Sequence, residues 1–401
     1  MAAVNRRRLA KVLAMSVPAV ICLLLLEAGV RLLCKSDEDG NRKFRDTRLK
    51  PYHTPVRKTG RVIAQYLASK DSGIIYDAEL GWTQRPNVSQ HNSAGFITSE
   101  PAVAKEPTPG RLRITVFGGS YTQGTFEKGW WRVLENELNR SGVPAEVLNF
   151  GVAGYGMDQA FLRWKRDGSA YRPRIVIFGF AAGNAYDNVN LIRMIKDPDT
   201  SIPFTKPRFV IEGDGLRLIN SPTPAPSEMA AITAHPAAWP LSARDFFWVP
   251  RDFQMTWWRH SMLAALAEAK FSAKSRLNSP ENFYQMPGEP AQLALRITAK
   301  FQAEVRAAGS AFLVAHLPYV TELEDWKAKG RFPHEDLYAA VKSRATVISP
   351  EQAMLAASGG KPLRAFFADG HYTDEFQAVV GKEIAAFIRA HPETWQTAPA
   401  R

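Results

Sequence analysis

Cysteine is nearly missing from the chain. Cys22 and Cys34 are the two among 401 residues, and both lie in or beside an apolar N-terminal segment. That excludes a disulfide framework and a cysteine-based metal site for the remainder. The body has no zinc-finger spacing, no RNP-type motif, no dense block of Lys and Arg, and no internal repeat. A formal net charge of +12 gives a basic surface, suited to anionic lipid or an acidic polymer. Without nucleic-acid motifs, no nucleic-acid partner is expected. Composition is otherwise ordinary, 45% hydrophobic and 22% charged, which allows a real core in one large domain or two small ones.

Long apolar runs are scarce too, with one exception. Arg6, Arg7, Arg8 and Lys11 precede a largely apolar stretch at residues 12–26. As a helix it spans about 22 Å, short of a ~30 Å bilayer core, and continuing to Cys34 makes the length sufficient. Glu27 and Arg31 stand one helical turn apart and can pair near the interface. No small-x-small cleavage signal follows, and Cys34 comes after two leucines, where lipid attachment wants a small residue. Residues 1–35 read as an uncleaved signal anchor, a single-pass membrane helix with the body on the periplasmic or extracytoplasmic side.

Residues 36–110 are polar, with scattered Pro and Gly, and read as a stalk and lead-in. From Leu112 short apolar runs alternate with helical periodicities. LRITVF precedes WWRVLENELNR, AEVLNF precedes MDQAFLRWKR, RIVIFGF follows, and LALRITAKFQAEVRAAG precedes AFLVAHLP. The alternation predicts an α/β domain over 111–395, with a parallel sheet buried on both faces. Phe376, Val379, Val380, Ile384, Phe387 and Ile388 mark a closing helix. Between 190 and 290 the rhythm breaks into SPTPAPS, FFWVPRDFQMTWWRH and SMLAALAEAKFSAKSRL. This reads as an insertion or lid whose aromatics can close a satellite core, stack on sugar rings or touch a membrane.

The stretch ITVFGGSYTQGT, residues 114–125, ends an apolar run in two glycines and a serine. A phosphate loop needs a lysine where Thr125 stands. The nucleophile elbow of α/β-hydrolases needs a glycine where Thr122 stands. What remains is Ser120 at a strand-to-helix turn, either as a nucleophile or as a turn hydroxyl. Gly118 and Gly119 permit the tight turn, and the free N–H groups of the new helix point where an oxyanion forms.

A nucleophilic serine needs a base. Among eight histidines, His371 stands in FFADGHYTDEF. In an extended segment Asp369 and His371 project to one side, so Asp369 can orient the imidazole while it faces Ser120. His316, in AHLP at a strand end, is the weaker alternative base. NFGVAGYG and FAAGNAYDN put a glycine N–H and the Asn184 amide at two further strand ends, where they can complete an oxyanion hole.

In order, these motifs resemble the SGNH (GDSL-type) hydrolase superfamily, in particular its bacterial membrane-anchored members. The resemblance covers most of the chain. It includes the Glu27/Arg31 pair, E-L-G-W at 79–82, N-S-x-G-F at 92–96, the serine block, N-F-G-V-x-G-Y-G at 149–156, the asparagine block and the late D-x-H. The resemblance implies Ser120 as nucleophile, His371 as general base and Asp369 as its orienter. It implies an oxyanion hole from the Ser120 N–H, the Gly154 N–H and the Asn184 side chain. It implies a three-layer α/β/α sandwich of flavodoxin-like type around a mainly parallel sheet of about five strands, with no metal and no organic cofactor.

The chain departs from the family pattern in places. Gly119 replaces the aspartate of G-D-S, and Ala185 replaces the aspartate of G-N-D, with Asp187 close by. Phe376 stands for a glycine of the closing helix and Ile97 for an arginine. The expected activity is that of a membrane-anchored serine esterase removing O-acyl, chiefly acetyl, groups from cell-surface or exported carbohydrate. The alternatives are an O-acyltransferase acting on such a polysaccharide, and a non-catalytic scaffold in envelope polysaccharide export.

Overall fold

A computed structural model describes residues 2–125, 127–271, 284–286 and 288–396, with side chains from residue 16 onward. Its centre is a five-stranded sheet: β1 (Leu112–Phe117), β2 (Ala145–Asn149), β3 (Ile175–Phe180), β4 (Ala311–His316) and β5 (Thr346–Ile348). The spatial order is β5-β4-β3-β1-β2, and every pairing is parallel. The expected three-layer α/β/α architecture is the one the chain adopts.

The strands are apolar on both faces because both are covered. Ile114, Val116, Val147, Ile175, Ile177, Leu313 and Ala315 face one core. Phe117, Leu148, Val176, Phe178, Phe180, Phe312 and Val314 face the other. The first core is closed by helices Trp130–Arg140 and Asp374–Ala390, which bury Trp130, Leu134 and Leu138 against Phe376, Val380, Ile384 and Ile388. They approach closely at Gly381, where a β-carbon would lie 2.5 Å from the Trp130 carbonyl oxygen. The second core is closed by helices Met157–Arg166 and Glu289–Ala307, through Phe161, Trp164, Leu293, Ile297 and Phe301.

After β1 the chain crosses outward to β2, and after β3 it crosses the opposite way to β4. The carboxyl ends of β1 and β3, which are neighbours, therefore flank the point where strand order reverses, the usual place for a site in an open α/β sheet.

Residues 36–110 carry two small antiparallel sheets and helix Val56–Ala68. They bury Leu49, Tyr52, Leu80, Trp82 and Phe96. The motifs E-L-G-W and N-S-x-G-F act here as packing pieces. Trp82 Nε1 donates to the Ala153 carbonyl at 3.0 Å, Tyr155 Oη donates to the Trp82 carbonyl at 2.7 Å, and Phe96 stacks on Phe150.

The region 190–290 contains the hairpin Arg208–Glu212/Gly215–Ile219, short 3-10 turns and helix Met262–Phe271; residues 272–283 and 287 lie outside the described residues. Its aromatics divide. Phe247 is buried and Trp248 packs on Phe253, whereas Trp257 is 82% exposed.

Helix Ala2–Leu33 contains an 18-residue window, Ser16–Leu33, apolar and long enough to cross a membrane and almost wholly exposed. Its end is docked on the body. Glu27 pairs with Arg31 at 2.6 Å, and its carboxylate also accepts from Ser261 Oγ and from the Met262 and Leu263 N–H groups at the start of helix Met262–Phe271. Arg31 Nη2 donates to the His260 carbonyl at 2.7 Å.

Candidate active site

Ser120 opens the short helix Ser120–Gln123 directly after β1 and is half-buried. The turn is crowded, most tightly at Gly118. A β-carbon on Gly118 would lie 2.1 Å from Thr122 Oγ1, and one on Gly119 would lie 3.0 Å from Asn184 Nδ2 and 3.1 Å from the Tyr155 carbonyl. Asn149, at the end of β2, fastens this helix: its amide donates to the Thr122 and Gln123 carbonyls at 3.1 and 3.0 Å, and its oxygen accepts the Gly151 N–H at 2.8 Å. Gln123 Oε1 accepts the Ala153 N–H at 2.8 Å, tying the serine helix to the loop that carries Gly154.

His371 lies together with Ser120. Its Nε2 lies 2.8 Å from Ser120 Oγ, across 251 positions of sequence. The role expected of the Asp369 carboxylate needs correction. Phe367–Ala368 and His371–Tyr372 pair antiparallel, with Ala368 opposite His371, so Asp369 and Gly370 form the two-residue turn of a hairpin. Both have positive φ, 48° and 78°, as a type I′ turn requires. The segment is therefore not extended, and the two side chains do not project together. The partner of His371 Nδ1 is instead the main-chain carbonyl of Asp369, at 3.0 Å. With Nδ1–H donating there, Nε2 keeps its lone pair for the serine hydroxyl. The Asp-Gly dipeptide was itself the available signal for this turn.

Asn184, buried at the start of helix Asn184–Asp187 after β3, donates one amide hydrogen to the Tyr155 carbonyl at 2.9 Å. Among the described residues, its second amide hydrogen has no acceptor. Gly154 has φ +76°, a conformation that favours glycine. Among the described residues, neither the Gly154 N–H nor the Ser120 N–H has an acceptor within the protein.

Two contributors carried no sequence signal. Arg193 Nη1 donates to the Gly154 carbonyl at 3.1 Å and to Asp187 at 3.2 Å, and its guanidinium lies over Trp82. Tyr121 donates its hydroxyl to the Gly370 carbonyl and packs on His371, Tyr319 and Tyr372. Burial pushes the Tyr121 phenol far above its ordinary range, so it stays a neutral donor. His316 is fully buried, and both of its ring nitrogens are engaged away from Ser120, on Glu351 and His334.

A hydroxyl hydrogen-bonded to an imidazole lone pair can lose its proton as it attacks an electrophilic carbon. The unpaired N–H groups beside it can receive negative charge as it develops on oxygen.

No protein-family model and no curated protein matches the chain. Among solved structures it is similar to the acetyl xylan esterase AlAXEase, at 10% identity over 69% of this chain and 100% of that one, with TM-score 0.38. It is similar to a GDSL-like lipase from Bacteroides thetaiotaomicron, at 11% identity over 72% and 92%, with TM-score 0.35. It is also similar to Axe2, an acetylxylan esterase from Geobacillus stearothermophilus, at 10% identity over 69% and 93%, with TM-score 0.36.

Proposed function

We propose that the chain is a serine esterase that removes O-acyl groups from carbohydrate, with residues 1–35 as membrane anchor and residues 111–395 as the catalytic domain. Ser120 Oγ attacks the ester carbonyl and His371 Nε2 takes its proton. The oxyanion accepts from the Ser120 and Gly154 N–H groups and the free Asn184 amide hydrogen. As the bond from the acyl carbon to the sugar oxygen breaks, His371 gives the proton to that oxygen, releasing the sugar as an alcohol, and water attacks the acyl-serine by the same route. The observation that carries this reading is the 2.8 Å approach of His371 Nε2 to Ser120 Oγ. The exposure of His371 supplies water for deacylation and favours hydrolysis over transfer.

A fluorophosphonate probe should label the full-length chain covalently, and Ser120→Ala should abolish the labelling. A wild-type chain that stays unlabelled would remove Ser120 from catalysis. Asn184→Ala is expected to lower kcat by about 10²–10³-fold, the usual loss for one oxyanion donor. A loss confined to KM would instead make Asn184 a ground-state binding residue. Acetylated oligosaccharides test the substrate class: turnover of aryl acetates without release of acetate from any such sugar would overturn the carbohydrate assignment.

A further inference from the structure

Beneath the outer end of β4 lies a second polar cluster that the esterase reading leaves unused. His316 ends β4, Glu322 is on helix Val320–Lys329, His334 precedes helix Glu335–Lys342 and Glu351 opens helix Glu351–Ala357. All four are buried, His316 and His334 completely. The two imidazoles face each other with Nε2 atoms 3.1 Å apart. His316 Nδ1 meets the Glu351 carboxylate, and His334 Nδ1 lies 3.4 Å from Glu322 Oε1. Tyr338 Oη donates to Glu351 at 2.9 Å, and the Tyr319 N–H donates to Glu322 at 2.8 Å.

His334 Nδ1 is a fully buried nitrogen with no hydrogen bond, its 3.4 Å approach to Glu322 included. The charges of the cluster do not balance. Among the described residues, Glu322 and Glu351 have histidines as their ion-pairing partners and no Lys or Arg, and two uncompensated carboxylates in a core are costly. A divalent cation cancels both charges and turns the opposed Nε2 lone pairs into ligands.

From this geometry we infer a divalent-cation site, with zinc the fitting ion, held by His316, His334 and Glu322. The candidate ligand atoms of these three residues lie within 4.8 Å of one another. Two nitrogens on a tetrahedral zinc stand about 3.3 Å apart, close to the separation found. Glu351 on His316 Nδ1 is the supporting carboxylate such histidines usually have. Two histidines, one glutamate and an open fourth position form a known zinc set. A cavity of about 300 Å³ includes Pro333 and Glu335, the chain neighbours of His334, and its lining mixes the acids Asp325, Glu335 and Asp336 with the bases Lys329 and Arg331. The cluster joins the starts of three helices to the end of β4, the strand beside the edge strand β5. Through Tyr319, which packs on Tyr121, it also backs the wall behind Ser120.

Metal binding to the purified full-length chain tests the inference without reference to activity. After chelation and desalting, the wild type should take up one equivalent of Zn²⁺, and Co²⁺ should give the visible absorption of a low-coordinate site. His334→Gln and Glu322→Gln should each weaken affinity by more than about 100-fold, and Glu351→Gln by about 10–100-fold. Added Zn²⁺ should raise the wild-type Tm by mass action. A folded wild-type chain that binds neither ion overturns the site, as does binding that survives unchanged in both ligand variants. Because the first readout uses the wild type, failure of a variant to fold does not rescue the inference.

Discussion

His371→Ala is expected to lower kcat on an acetyl ester by about 10²–10⁴-fold, while Asp369→Asn lowers it only a few-fold. The two effects separate because of the hairpin turn. His371 reaches Ser120 directly, so its loss removes the proton acceptor at the moment of attack. Asp369 reaches His371 through its main-chain carbonyl, which asparagine keeps. Asparagine also tolerates the positive φ at that position. His371 is exposed, so its truncation should leave stability nearly unchanged, and the loss should fall on kcat rather than KM. Equal losses from the two substitutions would return the orienting role to the Asp369 carboxylate.

Lys206→Met should destabilise the chain by about 3–5 kcal/mol, the cost of stranding one member of a buried ion pair. Lys206 and Asp158 form a salt bridge with both side chains inaccessible to solvent. Burial pushes the Asp158 carboxyl up and the Lys206 ammonium down, against their mutual attraction. Lys206 Nζ has one further acceptor, the Pro207 carbonyl at 2.8 Å. The pair joins the 190–290 region to the first turn of helix Met157–Arg166, just after the Gly154 loop. Activity should therefore fall with stability. The double variant Asp158→Leu with Lys206→Met should recover most of the loss, because two apolar side chains leave no buried charge. Urea unfolding of the detergent-solubilised chain followed by tryptophan fluorescence measures all three. A single-variant cost below about 1 kcal/mol, the worth of an exposed pair, would mean that water reaches the site.

The sheet was readable because its strands are short, β-branched and apolar on both faces, a pattern that few other structures tolerate. Ser120 and His371 stood out because each sits beside glycine at a turn, Ser120 after β1 and His371 at the start of the strand that follows Asp369 and Gly370. Asp369 was misread because alternation along a strand was extended through Asp-Gly, the pair that most readily reverses a chain. The lead-in was harder for a different reason. Trp82 meets Ala153, and Arg163 Nη2 donates to the Gly95 carbonyl, contacts that span 71 and 68 positions and leave no periodic trace. The His316 and His334 cluster was hidden likewise: its four members come from four elements and share no spacing motif.

The Tyr121 hydroxyl on the Gly370 carbonyl has a mechanical meaning. It joins the residue after the serine to the residue before the histidine, so the chain neighbours of the two reacting side chains are fastened to each other. Thermal drift of the hairpin then carries Ser120 with it, as vibration of a shared bench moves a lamp and its lens together. A displacement shared by both mountings leaves the gap between oxygen and nitrogen unchanged, whereas two independently mounted groups would drift apart. An exposed histidine on a two-residue turn can in this way hold its alignment without being buried.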